Sequence, residues 1–124
     1  MSLLDVRNLC EAFQRTVARR PDAVALRTLG GGTRITWGEY GARVARIAAG
    51  LHRLGARRGD TVALMMTNRP EFNLCDTAAM HLGCAPFSVY NTLPAEQIAY
   101  LFGNAGNRIV LCESQFADRV RAAT

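Results

Sequence analysis

A chain of 124 residues that is 49% hydrophobic is long enough to bury a core and too apolar to stay disordered. Its net charge of +5 rests on fifteen basic residues, all of them arginine; the chain has no lysine. The arginines are scattered rather than striped (Arg43, Arg46 and Arg53 along one predicted helix, Arg57 and Arg58 in a turn, Arg119 and Arg121 near the end), so solvated faces account for them and no nucleic-acid partner is expected.

In chain order, Leu9, Phe13 and Val17 recur every fourth residue and predict a short amphipathic helix, stopped by Pro21-Asp22. Ala23–Leu26 and Arg34–Trp37 read as two strands joined through Gly30-Gly31-Gly32, a hairpin. The three glycines are not a phosphate loop, since no parallel strand precedes them and no Gly-Lys-Ser/Thr ending follows. Thr36-Trp37-Gly38-Glu39 fits a capping box. The helix it opens carries Tyr40, Val44, Ile47, Ala48, Leu51 and Leu54 on one face and stops at Gly55.

From Gly59 onward the pattern changes. Three apolar runs, Thr61–Met66, Phe87–Tyr90 and Ile109–Cys112, alternate with two amphipathic segments. Phe72, Cys75, Ala79 and Leu82 mark the buried face of the first segment; Ile98, Leu101, Phe102 and Ala105 mark that of the second. Runs apolar on both faces, separated by helices, predict a parallel βαβαβ sheet covered by helices, with right-handed crossovers. Pro86 belongs at the start of its strand. Ser114 is placed to cap a last helix over 115–123, with Phe116 and Val120 facing inward. The fold class expected is therefore α/β: a partial parallel sheet preceded by a helix and a β-hairpin.

Cys10, Cys75, Cys84 and Cys112 form no C-x-x-C pair and read as buried free thiols of a reducing compartment. His52 and His81 have no ligand-spaced partner and read as surface residues. No apolar run is long enough to span a membrane, and the first twenty residues lack a secretory apolar core. A cytoplasmic location is the expectation.

Parallel sheets bind ligands beyond the carboxyl ends of their strands. Those ends carry Thr67-Asn68-Arg69, Tyr90-Asn91-Thr92 and Glu113-Ser114-Gln115, all polar and all before helix starts, where backbone amides can hold an anion. Capping the helices and turning the chain explains them without a ligand. No nucleophile with a base, no paired carboxylates and no metal cluster is recognisable, so no catalytic, cofactor-binding or metal residue is assigned.

The ordered set Ile35-Thr36-Trp37-Gly38-Glu39, Leu51-His52-Arg53-Leu54-Gly55, Arg58-Gly59-Asp60-Thr61-Val62-Ala63-Leu64, Asn68-Arg69-Pro70-Glu71-Phe72 and Leu82-Gly83-Cys84-Ala85-Pro86 resembles the start of the AMP-forming adenylate-forming enzymes. Ser88-Val89-Tyr90-Asn91-Thr92, with Glu96-Gln97-Ile98 and Tyr100, is similar to the long-chain fatty-acid–CoA ligases among them. The resemblance implies that residues 1–124 are an incomplete N-terminal segment of the adenylate-forming domain. It further implies a full-length enzyme that takes a fatty acid, ATP with Mg, and CoA, forms an acyl-adenylate, and passes the acyl group to the CoA thiol.

The family's Ser/Thr/Gly-rich phosphate loop with its lysine, Tyr-Gly-x-Thr-Glu motif, ribose-binding aspartate and C-terminal-domain lysine have no counterpart here. Cys84 stands where Gly-Ala or Gly-Val is commoner in the family. No cofactor is expected on this chain, which should be inactive by itself and should self-associate through surfaces that later segments would cover. The alternative is a free-standing α/β module binding a ligand or partner at the polar strand ends. A reading frame that continues past Thr124 into a lysine-bearing phosphate loop discriminates the two.

Overall fold

The computed structural model describes residues 5–124. Helix α1 (Leu9–Arg19) starts at Asn8, whose side chain accepts the Glu11 N–H. Strands β1 (Val24–Arg27) and β2 (Arg34–Thr36) pair antiparallel as the expected hairpin, and the chain turns through Gly30 and Gly31, both at positive φ. Thr36 and Glu39 close the capping box reciprocally at 3.2 and 2.9 Å and launch α2 (Trp37–Arg53). Gly41 lies inside α2 because α1 crosses it there: a Cβ at that position would stand 3.0 Å from the Val17 side chain.

The βαβαβ unit follows as β3 (Thr61–Met65), α3 (Pro70–His81), β4 (Ala85–Ser88), α4 (Ala95–Ala105) and β5 (Ile109–Cys112). The sheet is parallel with order β4-β3-β5, in register Thr61 with Ala85 and Val62 with Ile109. Helix α4 ends at Gly106, which takes the left-handed conformation at φ 67°. The expected last helix is shorter: Ser114–Phe116 is a 3-10 turn, and α5 runs only from Ala117 to Ala122.

The central strand shows why its run is apolar throughout. Val62 and Leu64 point into a core built with Ile35, Tyr40, Val44, Leu51, Leu74 and Ala78 from the hairpin, α2 and α3. Ala63 and Met65 point the other way, into a core with Ile98, Phe102, Phe116 and Val120 from α4 and the C-terminal turns. Alternate side chains thus serve two layers, and all four of these β3 residues are 0% exposed.

Several expectations shift in detail. Pro86 is the second residue of β4, not its first. Ala85 and Val89 donate to Asp60 and Leu64 at 2.8 Å, so the strand's alternation turns position 86 outward, where no ladder bond needs an N–H. Leu54, assigned to the buried stripe of α2, is 68% exposed, because it lies past the helix end. On α3 the fully buried face is Leu74, Thr77, Ala78 and Ala79, with Phe72, Cys75 and Leu82 only flanking it. His81 is not a plain surface residue. It bonds to the Thr77 carbonyl at 2.8 Å and to Gln14 at 3.1 Å, and meets the Phe13 ring edge-on at 5.3 Å, tying α3 to α1. Cys10, Cys75, Cys84 and Cys112 are free as expected but not all buried: only Cys84 is, and the other three are partly exposed.

Candidate functional site at the carboxyl ends of the strands

The three polar segments do converge at one end of the sheet, but they do not cap helices. The residues at the N-cap positions, Arg69 before α3, Pro94 before α4 and Glu113 before the 3-10 turn, make no side-chain cap, and Ser114 caps nothing. Pro70 opens α3 instead, a position where a missing N–H costs nothing. The polar side chains are spent on joining the loops to one another.

Glu113 is the first joint. It leaves β5 by donating its N–H to the Met65 carbonyl at 3.2 Å. Its carboxylate accepts the Thr67 N–H, the Arg69 guanidinium at 3.1 Å and the Gln115 amide at 3.0 Å. Those donors, Thr67 foremost, pull the Glu113 carboxyl down to about 2 from an ordinary 4.5. Arg69 also holds Glu71 at 2.7 Å, which lowers the Glu71 carboxyl in turn. Arg119 is the second joint. Its guanidinium donates to the Asn91 carbonyl and, at 3.2 Å, to that of Leu93, and lies 5.6 Å above the Phe116 ring. It is therefore not a solvated surface charge.

Between the joints lies a hollow of about 280 Å³ lined by Met66, Thr67, Asn68, Phe72, Ser88, Val89, Tyr90 and Asn91. Asn91 Oδ1 is buried in this region without a hydrogen-bond partner. A larger hollow, about 370 Å³, lies at the opposite, amino end of the sheet between Leu54, Asp60, Ala105 and Arg108. Thr61 Oγ donates to the Ala105 carbonyl there at 2.9 Å, a contact that braces α4.

These residues do not fit a nucleotide triphosphate. Arg69 and Arg119, the cations at the strand ends, are already engaged, and the Thr67 N–H holds Glu113 and is not free to meet a phosphate. Among the described residues no group of His, Cys, Asp and Glu is gathered to hold a metal ion. Burial pushes the Cys10, Cys75 and Cys84 thiols up, away from the reactive thiolate form. The Tyr40 hydroxyl is tied to Thr77 at 2.8 Å and to the Asn73 carbonyl at 3.1 Å, and burial raises it too. The arrangement shapes one wall of a cleft, with its charged side chains turned onto neighbouring loops.

Sequence reading placed the polar segments at the carboxyl ends of the strands and missed the joints. Glu113 meets Thr67 across 46 positions and Arg119 meets Asn91 across 28, separations that no local pattern reveals.

A three-stranded parallel sheet covered by helices on both faces, entered through a helix and a hairpin, is a mixed α/β architecture. The chain belongs to the AMP-binding enzyme family, whose sequence model matches residues 13–124. It is 62% identical over 115 residues to an uncharacterized protein of Mycobacterium tuberculosis, covering 93% of this chain and 66% of that one. It is 33% identical over 78 residues to fatty acyl-CoA synthetase A of Dictyostelium discoideum, covering 63% of this chain and 12% of the synthetase. Among solved structures it superposes on the inhibitor-bound N-terminal domain of FACL13 from Mycobacterium tuberculosis with a TM-score of 0.88 at 25% identity, covering 94% of this chain and 29% of that one. The chain thus spans about two thirds of the mycobacterial relative and a small fraction of the synthetase. No helix among the described residues is long and apolar enough to cross a membrane.

Proposed function

We propose that residues 1–124 are the opening segment of the adenylate-forming domain of a fatty-acid–CoA ligase. In this reading the whole enzyme works in the cytoplasm, activates a fatty acid with Mg-ATP as an acyl-adenylate, and transfers the acyl group to CoA. This segment supplies scaffold and one cleft wall; ATP, Mg and CoA are held by other parts of the enzyme. The observation that carries the reading is the superposition of nearly the whole chain on under a third of the N-terminal domain of FACL13. The fatty acyl-CoA synthetase among its relatives supports the branch. The lack of any lysine supports the division of labour, since a phosphate-loop lysine must come from elsewhere.

The test is replacement. A fatty acyl-CoA synthetase whose matching N-terminal segment is exchanged for this chain should keep fatty-acid-dependent exchange of pyrophosphate into ATP. Loss of exchange in a chimera that still melts cooperatively overturns the assignment. One observation favours a second reading, a free-standing α/β module: the mycobacterial relative is itself short, since 115 residues make up 66% of it.

A further inference from the structure

The parallel ladder has an alternation that both sheet edges inherit. On the β4 side, Ala85 and Val89 donate inward to Asp60 and Leu64, which leaves Pro86 and Ser88 facing out. On the β5 side, Glu113 donates inward to Met65, which turns Ile109 and Leu111 toward β3 and points the N–H and C=O of Val110 and Cys112 away from the sheet. A strand approaching β4 therefore meets a proline. One approaching β5 meets two complete donor–acceptor sets on an uncharged strand, Ile109-Val110-Leu111-Cys112, none of whose residues is fully buried.

We propose that this chain, wherever no strand of another segment lies beside β5, pairs antiparallel with a second copy through β5, with Leu111 opposite Leu111 on the two-fold axis. In that register Val110 of each copy exchanges both backbone hydrogen bonds with Cys112 of the other, and the two Leu111 side chains meet across a non-hydrogen-bonded pair. The flanking charges favour this direction. The strand starts after Arg108, which is exposed and holds Asp60 only at a loose 3.5 Å, and ends before the cluster of Glu113, Arg69 and Glu71, in which two carboxylates share one guanidinium and leave a net negative charge. Antiparallel pairing sets the positive end of one copy beside the negative end of the other, whereas parallel pairing sets like beside like. Pro86 limits the assembly to two, because a chain with both edges open would continue into a filament. The proposal does not depend on the ligase assignment.

Sedimentation of the full chain over a concentration series should show a species of twice the 13.5 kDa of one chain, growing with concentration. Val110→Pro removes an outward N–H and no bond to β3, so it should stay monomeric with an unchanged far-UV circular dichroism spectrum. Opposed residues of a non-hydrogen-bonded pair lie about 4.5 Å apart at Cα, within disulfide reach. Leu111→Cys in a Cys112→Ser background should therefore oxidise to a covalent dimer that Cys112→Ser alone does not form. A monomeric parent, a dimer that persists in a folded Val110→Pro variant, or an absence of the Leu111→Cys cross-link would each overturn the proposal. Should Val110→Pro unfold, the cross-link decides.

Discussion

β3 and β5 are made of nearly the same material and live in different surroundings. Val62-Ala63-Leu64-Met65 is 0% exposed at every residue, while Ile109-Val110-Leu111-Cys112 is half-buried at every residue. The difference is neighbours. β3 has a strand on each side and a helix layer on each face; β5 has a strand on one side only, and its residues pack at the margins of the same two cores. An apolar run therefore reports that both faces of a strand are to be covered, not that the covering lies within the same segment.

The sharpest way to break this comparison is a charge. Met65→Asp places a carboxylate without a partner in a fully covered layer, at a cost on the order of several kcal/mol, and should abolish the cooperative urea transition. A variant that melts like the parent would mean that β3 is not central. Next in size is a matched pair of truncations. Leu64→Ala should cost about 2–5 kcal/mol, in the range of core leucine deletions. Leu111→Ala should cost roughly half as much, because part of its side chain is already in water. Equal losses in urea unfolding would show that β5 is as enclosed as β3.

The smallest effect expected comes from the joint between the two strand ends. The folded Glu113 carboxyl lies at about 2, below its ordinary 4.5, so its contribution is whole above about pH 5 and is lost as pH falls through about 2. Glu113→Gln should flatten the fall of the urea midpoint between pH 5 and pH 2, leaving the part due to Glu71, which Arg69 also lowers. An unchanged slope would mean that Glu113 does not fasten the Thr67 loop to β5.

Much of this fold was legible because its signals are local. The Thr36/Glu39 box, the Leu9-Phe13-Val17 spacing and the alternation of apolar runs with amphipathic helices each act within a few residues, and each element formed near its expected place. What escaped was long-range. Leu54 follows the helical period of α2 yet lies beyond the last turn, where nothing packs on it. His81 looks solvent-facing on its own helix and is claimed by Gln14 and Phe13 of another. The strand-end segments have the composition of helix caps, but Pro70 and Pro94 already start or precede their helices, which frees Glu113 and Arg119 for contacts between loops. Their position at the carboxyl ends of the strands was predictable from topology; their occupation by the chain's own charges was not.

The central proposal is that this segment supplies scaffold to a ligase domain and leaves the chemistry to other segments. The most direct measurement is pyrophosphate exchange into ATP by the purified chain with Mg and palmitate. The structure predicts no exchange above a blank without protein, since Arg69 and Arg119 are engaged and the chain has no lysine. Fatty-acid-dependent exchange above that blank would contradict it.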